Sequence, residues 1–188
     1  MQTVEIAAQS QSAFVIAAET YTQSSAREAL LTRAMGLKWK RKSSQKLRRG
    51  RRPSEGLAFI ARNADGVLAG TVRLWDVATG DSRPALLLGP LAVEPLLKSA
   101  GMGKALMSHA ISEAKRLGHK VILLVGDAAY YERFGFSSAK TGALSMPGPY
   151  ERDRFLALEL VPGALDGASG TLKATGRKAK LVDVRAVA

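Results

Sequence analysis

The chain has 188 residues, 46% apolar and 23% charged, with 28 Lys and Arg against 16 Asp and Glu and no cysteine. Such a length and composition predict one folded domain with a substantial core. The missing cysteines exclude disulfide frameworks, thiol catalysis and zinc–thiolate sites, and they favour the cytoplasm.

The first 20 residues hold Glu5 and Glu19 and no basic residue, which does not suit a secretory signal. No apolar run nears the roughly 18 residues that a membrane span requires. A net charge of +12 is concentrated in residues 38–52, where Lys38, Lys40, Arg41, Lys42, Lys46, Arg48, Arg49, Arg51 and Arg52 stand without an acid. A block of this kind either keeps a solvated helix soluble or makes weak contact with nucleic acid.

In chain order, residues 3–8 read as a first strand. Ala26, Ala29, Leu30 and Ala34 recur at helical spacing over 24–35, and Gly36 supplies a stop. The basic block follows as a second helix, ending at Gly50 and Pro53. Residues 57–61 and 67–77 read as strands around the turn 63–66, an antiparallel hairpin. The next strand, 85–93, is interrupted by Gly89-Pro90, and so apolar a run suits a bulge better than an edge.

Leu106, Ala110, Ile111, Ala114 and Leu117 then mark a helix closed by Gly118. A strand over 121–125, a short helix over 128–134, a loop over 141–149 and a strand over 155–160 complete the pattern. A weaker strand follows near 171–174, and the residues beyond are basic and small. The class is α/β, with residues 1–172 as one domain and 173–188 as a basic tail.

Chemistry concentrates between Leu88 and Phe136. An apolar strand runs into Lys98-Ser99-Ala100-Gly101-Met102-Gly103-Lys104, where a helix begins. A helix start exposes unpaired amides and partial positive charge, and glycines let a ligand approach them. This loop can hold a phosphate. It is neither the P-loop nor the Rossmann pattern, since Leu106 stands where the latter needs its third glycine.

Leu91-Ala92-Val93, Pro95 and Gly101-Met102-Gly103 heading a helix resemble the acyl-CoA signature of the GNAT N-acetyltransferases. Asp127-Ala128-Ala129-Tyr130-Tyr131-Glu132-Arg133-Phe134-Gly135-Phe136 is similar to the family's second signature, a tyrosine four residues before Gly-Phe. Lys98 departs from the usual Gln or Arg, keeping the charge and losing the planar fork.

The resemblance implies a mixed, mostly antiparallel sheet flanked by helices and splayed between Val93 and the strand 121–125. Acetyl-CoA would lie in that gap as cosubstrate. The backbone of the Leu91–Ala92–Val93 segment, chiefly Leu91 and Val93, would pair with pantetheine and the thioester, and the amides of Ser99 through Lys104 would hold the pyrophosphate, with Lys98 adding charge.

It also implies direct attack by a primary amine, with Val93 N–H as oxyanion donor and Tyr131 as acid to the leaving thiolate. Asp127 is a candidate base, amine anchor or helix N-cap, and Glu94 is a weaker candidate of the same kind. No residue cluster suits a metal. His109, His119, Trp39 and Trp75 read as packing or surface residues.

Two other functions compete: a CoA-binding sensor that has lost catalysis, and an acetyltransferase for RNA-bound amines such as charged tRNA, docked through 38–52. Dimers are common in the family, so a homodimer is a further expectation.

Overall fold

The structure, a computed structural model, describes residues 14–179. The strand expected over 3–8 lies outside them. The first described strand, β1 (Phe14–Ala18), is one the sequence pattern does not announce. α1 (Ser24–Met35) follows within its expected bounds and ends on Gly36 at φ +67°. The basic block is not one helix. It divides into a 3₁₀ turn (Leu37–Arg41) and the short α2 (Ser44–Arg48).

β2 (Ala58–Asn63) and β3 (Leu68–Ala78) form the expected antiparallel hairpin, and β4 (Pro84–Val93) pairs with the other edge of β3. A 3₁₀ turn (Pro95–Ala100) leads into α3 (Met102–Arg116). Next come β5 (Val121–Val125) and α4 (Ala128–Tyr131), which continues as a 3₁₀ turn through Phe134.

The stretch read as a loop over 141–149 contains β6 (Leu144–Ser145), which pairs in parallel with β8 (Gly170–Thr171). Between them lies β7 (Phe155–Glu159), antiparallel to β5. β9 (Lys173–Ala174) pairs with β3, on the edge that β2 uses further along. The main sheet runs β1-β2-β3-β4-β5-β7, and its one parallel step is β4–β5.

Within the stretch read as a basic tail, residues 173–179 lie along the domain. Thr175 and Gly176 donate to the Asp76 carbonyl, Arg52 N–H donates to Arg177, and Ala179 N–H donates to Gly50. No helix among the described residues is long and apolar enough to cross a membrane.

Both faces of the sheet are buried, and strand alternation divides them. Val72, Leu74, Leu86, Leu88, Ile122 and Leu124 pack under α3 with Leu106 and Met107. Trp75, Val77, Leu87, Val121 and Leu123 face the other way, beneath Leu47, Met146, Leu165 and Leu172. α1 covers the rest of that second face through Leu30, Leu31, Ile60 and Ala92.

The Gly89-Pro90 bulge is present. Val72 pairs with Leu91 but Leu74 with Leu88, so β4 carries one extra residue opposite Arg73. An extra residue inverts the alternation. Before the bulge even-numbered residues face α3; after it Leu91 and Val93 do, while Ala92 turns to the α1 side. Trp75 fastens the bulge by donating its indole N–H to the Gly89 carbonyl at 2.6 Å.

Candidate active site

The parallel contact between β4 and β5 is short. It pairs Leu86 with Ile122 and Leu87 with Leu123 and goes no further, although β4 runs on to Val93 and β5 to Val125. The two strands therefore part, leaving an open edge on each.

Which backbone groups of β4 face that gap follows from one hydrogen bond. Glu94 N–H donates to the Ala69 carbonyl at 2.7 Å, so Glu94 is turned toward β3, and two residues back so is Ala92. In an antiparallel ladder the intervening residues turn their amides the other way. Leu91 and Val93 thus present theirs to the gap. Ala92 does not, and its methyl is buried against α1. Of the three residues expected to meet the cosubstrate, only the outer two offer backbone.

The loop at the head of α3 lies beyond this edge. Gly101 is its N-cap at φ +75°, a conformation that costs a β-carbon-bearing residue, and its carbonyl accepts the Ala105 N–H at 3.0 Å. The preceding amides of the helix have no intrahelical acceptor. Lys98, Ser99 and Ala100 form the last part of the 3₁₀ turn. Met102 contributes only backbone, because its side chain is buried in the core, whereas Lys104 is exposed. A β-carbon on Gly103 would stand 3.1 Å from the Tyr130 hydroxyl and 3.6 Å from Val93 Cγ2.

On the β5 side, Asp127 occupies the N-cap position of α4. Its carbonyl accepts the Tyr130 and Tyr131 N–H groups, both at 3.1 Å, while its exposed carboxylate makes no capping bond. The Tyr131 ring packs against Gly126: a β-carbon there would be 2.2 Å from its Cε2. Tyr130 and Phe136 meet the ring edge-on at centroid distances of 5.0 and 6.0 Å. Burial, then nearby Tyr130 and Asp127, push the Tyr131 hydroxyl up to about 12 against a smaller opposing effect of Arg154. It is held as a neutral acid.

Glu94, the weaker candidate, is gripped by Arg33 of α1, with Nη2 to Oε2 at 2.8 Å and Nε to Oε2 at 3.1 Å. His109 packs edge-on against Phe59 at 4.6 Å.

The opposite side of the gap holds residues that no motif announces. Three adjoining hollows of about 330, 430 and 530 Å³ follow one another: Trp39, Arg48 and Pro90 line the first two, Lys42, Ser44 and Val125 line the last two, and Tyr150 and Arg154 close the far end. Above the first, a buried Glu19 carboxylate receives Arg27 Nη1 at 2.8 Å and Arg73 Nε at 2.6 Å. Burial raises the Glu19 pKa, with Arg27 opposing. The nine-base block was the available signal for this side. Its uniformity hid which cations turn inward.

The sequence model of the acetyltransferase (GNAT) family matches residues 19–136, which span the gap, the α3 loop and the α4 tyrosines. The chain belongs to the GNAT acetyltransferase family. It is 26% identical over 118 residues to an uncharacterised N-acetyltransferase of Escherichia coli, YhbS, covering 62% of this chain and 71% of that one.

The crystal structure of YhbS in complex with CoA matches with a TM-score of 0.73 at 24% identity, over 88% of this chain and 91% of that one. A GNAT acetyltransferase from Brucella melitensis in complex with acetyl-CoA matches with a TM-score of 0.65 at 20% identity, over 88% and 97% of the respective chains. The mixed, mostly antiparallel sheet flanked by helices is thus the GNAT fold.

Proposed function

We propose that this GNAT protein transfers an acetyl group from acetyl-CoA to a primary amine by direct attack, with the β4–β5 gap as its site. The observation that carries this reading is the free β4 edge facing a gap beside a neutral, partly buried tyrosine. Leu91 and Val93 supply strand-like backbone to an extended ligand, the mode of β-strand addition. The unpaired amides of 102–104, with Lys104 beside them, suit a pyrophosphate. Both solved relatives named above hold CoA or acetyl-CoA, in keeping with this fit.

Acetyl-CoA supplies the activated acetyl group as a thioester. Val93 N–H is placed to donate to the oxygen that gains charge as the amine nitrogen bonds to the carbonyl carbon. Tyr131 gives its proton to sulfur as the C–S bond breaks and regains one from solvent. The proton lost by nitrogen leaves to water, so the products are an amide and a free thiol. Asp127, exposed beside Tyr131, suits a proton relay to solvent better than a buried base.

The test is twofold. Acetyl-CoA should raise the melting temperature by mass action, and Gly103→Glu should abolish the shift by filling the space between Tyr130 and Val93 and repelling phosphate. Thiol release from acetyl-CoA should then depend on an added amine. Binding without turnover across a broad amine panel would favour the sensor instead, and a Gly103→Glu protein that responds fully would refute the loop assignment.

A further inference from the structure

The hollows on the α1 and α2 side of the gap carry a charge pattern that transfer of a simple amine does not need. Arg48 is 8% exposed, yet no carboxylate among the described residues is paired with it. Its Nε and Nη2 are spent on Ser44, at the carbonyl and hydroxyl, which leaves Nη1 without a partner, 4.0 Å from where a β-carbon on Gly89 would stand. That places the spare donor at the bulge of β4.

Two further cations share the space. Lys42 lines the hollows on both sides of Val125, and Arg154 closes the one beyond it. Burial, then Arg154, then Arg48 lower the Lys42 pKa, so Lys42 stands close to both arginines, and burial brings Arg48 down to about 10. Arg48 at that value stays cationic at neutral pH.

Their unmet hydrogen bonds point the same way. Arg154 Nε is buried with no acceptor, and so is the indole N–H of Trp39, which lines two of the hollows. The acids on the rim are already engaged: Glu28 receives Arg27 at 2.8 Å, and Glu151 stands 3.7 Å from Arg154. Of the three cations Arg48 is both desolvated and without a counter-charge, which is costly, and buried donors left open cost more. Uncompensated groups of this kind, gathered at one cavity beside a reaction gap, are the complement of an anion.

We propose that the acceptor is an anionic amine: a primary amine that also carries a carboxylate or phosphate, bound by Arg48, Lys42 and Arg154 while its nitrogen reaches the β4–β5 gap. This rests on the acetyl-transfer reading above and adds the substrate class. Phosphate and carboxylate share the chemistry, a compact anion accepting several charged N–H donors.

The experiment begins with protein saturated in CoA, so that the α3 loop is occupied, titrated calorimetrically with inorganic phosphate and separately with succinate. At least one anion should bind, and the arm that binds names the anion. The double variant Lys42→Gln with Arg154→Gln, at an exposed and a partly exposed position, should bind it at least about tenfold more weakly, the cost of one lost charged hydrogen bond. Arg48→Lys, which keeps the charge and loses the fork, should weaken it less.

Turnover is then compared within matched pairs, phosphoethanolamine against ethanolamine and glycine against glycinamide. The anionic member should show the higher kcat/KM, and the double variant should erase that advantage by raising KM for the anionic member far more than for the neutral one. A CoA-saturated protein that binds neither anion, or binds one equally well in the variant, overturns the proposal. Failure to bind CoA at all would instead refute the underlying function, so the two failures are distinguishable.

Discussion

On the α3 face of the sheet the groups aimed at the gap are mostly backbone: the amides of Leu91 and Val93 and the first turn of α3. On the α1 and α2 face they are side chains, with Arg48, Lys42, Arg154 and Trp39 drawn from segments more than a hundred residues apart. Backbone recognition suits a ligand common to a whole family, because it needs only a strand that ends early, a bulge and a glycine at a helix start. Side-chain recognition suits a partner particular to one member. The contrast explains why one face carries motifs and the other a featureless run of bases.

The division breaks first at Tyr131, a side chain given the role of acid on the backbone-built face. Tyr131→Phe should preserve the ring contacts and acetyl-CoA binding while kcat falls roughly 10²–10⁴-fold, the range for a positioned acid. Steady-state kinetics alongside a binding isotherm checks both parts. The pH profile sharpens the result. A pKa raised to about 12 keeps the hydroxyl protonated far above neutrality, so the rate should climb as the amine loses its proton and should not turn down at the ordinary tyrosine value of about 10. A descending limb centred there would mean a solvated hydroxyl and a different acid.

Next in size is Gly126→Ala. The new methyl would stand 2.2 Å from Tyr131 Cε2, and a ring cannot yield as a flexible chain end can, so the tyrosine must move. A misplacement of about 1 Å can cost on the order of 10²-fold in rate, and kcat should fall by about that much with acetyl-CoA affinity little changed. Unchanged kcat would free the reaction from the position of that ring.

Gly70→Ala separates loop chemistry from packing. Its β-carbon would come within 2.8 Å of Leu106 Cδ1 and Met102 Sδ, the contacts that seat the first turn of α3 on β3. Both atoms are mobile ends, so the cost should fall near the low end of overpacking, ~1 kcal/mol, lowering Tm by a few degrees. Acetyl-CoA should still bind. Loss of binding at so small a cost in stability would show that the helix start, more than its glycines, is finely placed.

How much of this was legible follows the same division. α1 could be bounded because helical spacing ends on Gly36, and the bulge because proline cannot sit mid-strand without one. β1 offers five apolar residues at a largely exposed edge, with no turn to delimit them. β6 and β8 are two residues each and exist only because they meet across 25 residues of chain. Nor could a run of nine bases reveal that Arg48 is buried. Contact with Gly89 decides that, and no local spacing encodes it. Ala92 was grouped with its neighbours until the register showed its amide turned to β3.

Glu94 gives the smallest expected effect and the sharpest check on where the acceptor side ends. It follows the open edge of β4 directly, where a carboxylate could take a proton from the incoming amine. The structure commits it elsewhere. Arg33 of α1 holds Oε2 through two nitrogens, and that bond is the chief cause of the raised Arg33 pKa. A carboxylate so paired has its oxygens engaged by the guanidinium, and its geometry ties α1 to the end of β4. Glu94→Gln keeps one acceptor for Arg33 and removes the charge. Both kcat and the KM for acetyl-CoA should stay at the wild-type values, in kinetics run at the pH where the amine is half deprotonated. A fall in kcat with an unaltered KM would place a working base on the β4 strand itself, and side-chain chemistry would then begin on the face assigned here to backbone.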